Sequence, residues 1–117
     1  MSMRGVTGLS MQIVVSARHQ EVPEQIRTYA TDKAARLQRY YDRIQSIEVV
    51  FDAQSGHQLA ELIVHIDHSH PLVVRESHAD QHAAVDQAID LMAEQLRRHK
   101  ERLRNRKHPD TDRRMGE

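Results

Sequence analysis

Ten cations in this 117-residue chain are spaced for contact with an extended anion. Seven lie in one run, Arg97-Arg98-His99-Lys100-Glu101-Arg102-Leu103-Arg104-Asn105-Arg106-Lys107, against the single acid Glu101. Lys33, Arg36 and Arg39 precede them at intervals of three residues. Cations held outward in rows bind phosphate oxygens through charge-assisted hydrogen bonds and release the counterions condensed on a nucleic acid. The plainer alternative is a solvated helix face. Acids early and bases late suit the helix macrodipole, and Glu94 with Arg98 is a favourable i,i+4 pair. However, the dipole acts on the last turn, whereas this run lasts about three turns. Like charges four apart, as in Arg98, Arg102 and Arg106, also repel. The pattern favours an anionic partner, with nucleic-acid phosphate as the best match.

The run needs an element to hold it out, and the sequence supplies one. Asp80 is placed to cap a helix that continues to Lys107 without Gly or Pro. Val85, Ala88, Ile89, Met92, Leu96 and Leu103 recur at helical spacings and form one apolar stripe. On a helical wheel Arg97, Lys100 and Arg104 flank that stripe on one side and Arg98, Arg102 and Arg106 on the other. The helix can dock by its stripe and still present both rows.

An earlier helix is expected after Pro23, with the stripe Ile26, Ala30, Leu37, Tyr40, Tyr41 and Ile44. Arg36, Arg39 and Arg43 line one flank. Lys33 falls inside this stripe and His99 inside the later one, each either snorkelling to water or facing a groove that receives anions. Four alternating segments read as strands: Ile13 to Ala17, Ile47 to Phe51, Ala60 to Ile66 and Leu72 to Glu76. Turns fall at Gln54-Ser55-Gly56-His57 and His68-Ser69-His70-Pro71. The order β-α-β-β-β-α predicts a two-layer α+β domain, a four-stranded sheet with two helices packed on one face. Strands one and two should be parallel, joined by a right-handed crossover. Residues 1–10 read as a flexible extension, 11–107 as the folded domain and 108–117 as a disordered tail.

Composition narrows the function. The formal charge is zero, yet Met1 to Leu96 holds 8 Lys/Arg against 13 Asp/Glu, and Arg97 to Glu117 holds 9 against 4. A body of −5 thus carries an end of +5, an asymmetry typical of interaction surfaces. No Cys is present, which excludes disulfides, thiolate metal sites and Cys nucleophiles. No apolar run is long enough for a membrane span or a signal peptide, so a cytoplasmic protein is expected. With only Tyr29, Tyr40, Tyr41 and Phe51 as aromatics, base stacking on a sheet is a poor fit.

Catalytic patterns are lacking. There is no G-x-S-x-G, P-loop or dinucleotide fingerprint, and no enzyme is expected. Nine histidines raise the question of a metal. His65, Asp67, His68 and His70 cluster at the second hairpin, but their spacing matches neither HExxH nor a zinc finger, and exposed hairpin histidines are the default. Neither a metal nor a cofactor is expected. A binding module remains.

Tyr40-Tyr41-Asp42-Arg43-Ile44, Asp80-Gln81-His82-Ala83-Ala84-Val85-Asp86 and Gln95-Leu96-Arg97-Arg98-His99-Lys100-Glu101-Arg102-Leu103 resemble, in order and spacing, the ribosome hibernation promoting factor family, which includes the inhibitor protein Y. The resemblance covers Met11 to about Arg106 and implies the same β-α-β-β-β-α fold. It further implies binding to the small ribosomal subunit and its rRNA near the decoding centre under stress or in stationary phase, blocking tRNA and messenger and inhibiting translation. Lys33, Arg36, Arg98, Lys100, Arg102 and Arg104 fall where the family keeps Lys or Arg. Arg39, Arg97, Arg106 and Lys107 join them on charge and position. His82 replaces a usual Tyr, Glu94 a common base and Ala17 a frequent Gly. The short-type members are the best match, which implies a monomer off the ribosome. The alternative is a general double-stranded RNA-binding module. A third reading is a protein-interaction or metal-linked domain using the His-rich hairpin.

Overall fold

The computed structural model describes residues 11–106; the side chains of Asn105 and Arg106, and the segments 1–10 and 107–117, lie outside the described residues. The expected extension, the expected tail, Lys107 and the side chain of Arg106 therefore fall outside it. The elements run β1 (Gln12–Ala17), α1 (Glu24–Ala35), a 3-10 helix (Arg36–Arg39), β2 (Ile44–Gln54), β3 (His57–Ile66), β4 (Leu72–His78) and α2 (Gln81–Arg106). Four strands form one sheet in the order β1-β2-β3-β4. β1 pairs parallel to β2, and the other neighbours pair antiparallel. This is the expected α+β architecture.

Alternation decides which side of the sheet is covered. Ile47, Val49 and Phe51 of β2 and Ala60, Leu62, Val64 and Ile66 of β3 are buried beneath the helices. Ile26, Ala30 and Ala34 of α1 meet them, with Ala84, Val85, Ala88, Ile89, Met92 and Leu96 of α2. Small residues at 30, 34, 84 and 88 let the helices lie close to the pleat, and burial of each larger side chain contributes roughly 1.5–3 kcal/mol. The opposite sheet face is open. There Val14 and Val73 are exposed, among a His65–Glu48 pair at 2.9 Å and a Glu61 carboxylate reached by Arg75 at 3.3 Å and Arg18 at 4.0 Å.

Turn chemistry fixes the hairpins. Ser55 and Gly56 both have positive φ, 51° and 81°, as a two-residue hairpin loop matched to strand twist requires. His68 takes φ 54° at the second turn.

Two boundaries depart from the sequence reading. The first helix ends at Ala35, tightens into the 3-10 helix, and Ile44 opens β2 instead of continuing the helical stripe. A register shift between Ile44 and Ser46 explains the misreading. The bulge places two buried residues, Ile44 and Ile47, three apart, which mimics a helical period inside a strand. Pro23 is the N-cap of α1, one residue before its first turn, and its carbonyl accepts from the amides of Ile26 and Arg27.

Candidate nucleic-acid interface

α2 is built to hold charge outward. Its start is fixed by Asp80, whose Oδ1 accepts a hydrogen bond from the Ala83 amide at 2.8 Å, the cap expected from sequence. Its stripe is fully buried through Leu96, and Leu103 packs half-buried against the core. With that face committed to the sheet, Arg97, Arg98, Lys100, Arg102 and Arg104 are all exposed. Glu94 is a shared tether: its Oε2 lies 3.5 Å from Arg98 Nη2 and 3.9 Å from Arg97 Nη2. Being exposed, these pairs orient the guanidinium groups more than they stabilise the fold.

α1 and α2 run in the same sense along the sheet, as three side-chain contacts show. The Tyr29 ring meets His82 edge-on at 4.5 Å, Lys33 Nζ lies 3.5 Å from Asp86 Oδ1, and Tyr41 meets His99 edge-on at 5.3 Å. Lys33 is thus paired with the acidic first half of α2, eleven residues or about 16 Å before Arg97. Arg36 and Arg39, exposed on the 3-10 helix, lie in the chain between the Lys33–Asp86 and Tyr41–His99 contacts, on the approach to those rows.

Lys33 sits in a small network that the sequence did not disclose. Tyr29 donates its hydroxyl to Asp86 Oδ1 at 2.6 Å, and Lys33 Nζ lies 5.9 Å from the Tyr29 ring centre. The hydrogen bond to the Asp86 carboxylate holds the Tyr29 phenol above its ordinary value, and burial adds to the shift. Asp86 therefore satisfies both the lysine inside the α1 stripe and the tyrosine one turn earlier. His82 stands where the resemblance leads one to expect Tyr, yet it still supplies a ring that packs on Tyr29. Asp86 was missed because its partners are 53 and 57 positions away; the nearest signal was the presence of Lys33 on an apolar face.

The hairpin histidines do not assemble. His65 turns to Glu48 on the open sheet face, and no group of three His, Asp or Glu side chains among the described residues is placed to hold a metal ion. No described helix is long and apolar enough to cross a membrane.

The described residues thus form a two-layer α+β domain that presents an exposed basic edge on α2. Residues 13–104 match the family model described as Sigma 54 modulation protein / S30EA ribosomal protein, and the chain belongs to that family. It is 33% identical over 92 residues to the ribosome hibernation promoting factor of Azotobacter vinelandii, covering 79% of this chain and 85% of the relative. The factor of the same name from Escherichia coli K12 is 31% identical over 94 residues, 80% of this chain and 98% of the relative. Among solved structures, the N-terminal domain of Thermus thermophilus protein Y aligns with a TM-score of 0.65 at 32% identity, over 74% of this chain and 94% of that one. A ribosomal subunit interface protein from Coxiella burnetii shares the fold, with a TM-score of 0.72 at 20% identity, over 77% of this chain and 98% of that one.

Proposed function

We propose that this protein is a ribosome hibernation factor. It binds the small ribosomal subunit near the decoding centre through the basic second half of α2, with Arg36 and Arg39 alongside, and so excludes tRNA and messenger. The observation that carries this reading is the exposure of Arg97, Arg98, Lys100, Arg102 and Arg104 on a helix whose apolar stripe is already spent on the sheet. Relatives bearing the name ribosome hibernation promoting factor over most of the chain support it. No covalent step is needed. Phosphate neutralisation supplies affinity, and the volume of a folded domain in the channel supplies inhibition. The protein acts in the cytoplasm, where its partner is, and is a monomer off the ribosome.

Reversal of Arg98, Lys100 and Arg102 to Glu tests this directly. All three side chains are exposed, so the circular dichroism spectrum and melting of the variant should match the parent. Binding to purified small subunits should be abolished. Unimpaired co-sedimentation of the folded variant would remove α2 as the RNA face.

A further inference from the structure

Beside the basic half of α2 a cleft opens that the proposed RNA contact leaves unused. Tyr41, His99 and Leu103 line it on the helix side, and Asp67, His68 and His70 on the side of the β3–β4 turn. Tyr41 and His99 meet ring edge to ring face in its lining, and Tyr41 is buried against the core. The two turn histidines are exposed on its rim. Asp67 is anchored there: its carboxylate accepts from the Gln45 side chain and its amide donates to the Arg43 carbonyl at 3.3 Å.

The charge of this cleft depends on its imidazoles. With them neutral, the Asp67 carboxylate is the only charge on the turn side. With His68 and His70 protonated the sign reverses, because each becomes a cation with two N–H donors. Among the described side chains of α2, Lys100 and Arg102 flank the His99–Leu103 ridge at helical spacing, whereas Glu101 projects to the far side of the wheel. Arg43 adds an exposed cation from the segment before β2. A strand of RNA lying on the α2 rows would therefore meet the cleft as a continuation of the same surface.

We propose that this cleft is a proton-dependent site for an RNA phosphate, with His68 and His70 as its ligating groups. The site rests on the RNA reading of α2 and extends it: the protein holds RNA more tightly as pH falls through the imidazole range. The left-handed backbone at His68 turns the chain sharply at the rim, a conformation His and Asn adopt more readily than most residues. His68→Asn with His70→Gln therefore removes both titrating groups while keeping the turn.

The test compares binding of the full chain and this double variant to purified small ribosomal subunits, at about pH 7.8 and about pH 6.0 and constant ionic strength, a range that spans imidazole titration. His57→Gln, at the opposite hairpin, is the control. The parent and the control should both gain about tenfold in affinity on acidification, as expected for two exposed ion pairs. The double variant should gain less than about twofold. A gain in the double variant equal to that of the parent, or no gain in the parent, overturns the site alone. Failure of the parent to bind at either pH overturns the RNA reading and the site together.

Discussion

Asp86 is the residue on which the two helices agree. It accepts from Tyr29 and pairs with Lys33, so an acid on α2 neutralises a cation that would otherwise interrupt the apolar face of α1. Tyr29→Phe should lower stability by about 1 kcal/mol, since Asp86 is partly solvated and can rehydrate. Denaturant unfolding would measure it. The same bond gives a sign at high pH. The Tyr29 phenol titrates above its ordinary value of 10.0 when folded, so the stability it contributes is present below pH 10 and is lost as pH rises through the folded value. An ultraviolet phenolate titration should show a late-titrating phenol in the parent that Tyr29→Phe removes. At the other extreme, His19 Nδ1 lies 3.0 Å from Asp52 Oδ1, and that hydrogen bond, with the Ala53 amide also donating, holds Asp52 below its ordinary value. Stability from this group is present above about pH 4 and is lost as pH falls through its folded value. Unfolding of an Asp52→Asn variant should be less sensitive to acid over that window.

At the scale of elements, α2 joins a buried stripe to an exposed charged edge, and the two roles separate by mutation. Leu96 is fully buried where the basic run begins, so Leu96→Ala should cost about 2–5 kcal/mol, a large part of the stability of a domain this size. Asp80→Ala should cost about 1 kcal/mol through loss of the Ala83 bond. Neither change touches the exposed cations, so at temperatures where both variants remain folded, affinity for small subunits should hold. Much of this element was legible in sequence: the cap at Asp80, the stripe and the outward cations all follow from a period of 3.6. The end of α1 was not. Leu37, Tyr41 and Ile44 are buried at helical intervals although the chain has left the helix, because a 3-10 turn and then a bulge keep the spacing while changing the backbone. Periodicity reports which residues face the core; where two backbones place the same residues inward, it cannot choose between them. The level of Lys33 was hidden for a different reason. It depends on how far α1 slides along α2, which is set by pairings more than fifty residues apart.

For the molecule as a whole, the neutral total conceals a division of labour. The body up to Leu96, which includes the acidic first half of α2, carries a net −5, and the end from Arg97 carries +5. This charge asymmetry was plain in the sequence, while the pairing of Lys33 with Asp86 required the fold. In the proposed function, affinity belongs to the basic edge and selectivity to the shape of the domain in its channel. The measurement that tests both together is co-sedimentation with purified small ribosomal subunits across a salt series, with free duplex RNA as competitor. Binding should weaken steeply, with a log–log slope of about −3 or beyond, and replacement of Arg98, Lys100 and Arg102 by Gln should flatten the slope by roughly 2. Duplex RNA in excess should leave the complex intact. Binding that ignores salt would contradict the electrostatic account, and ready displacement by duplex RNA would mark the protein as a general RNA-binding module.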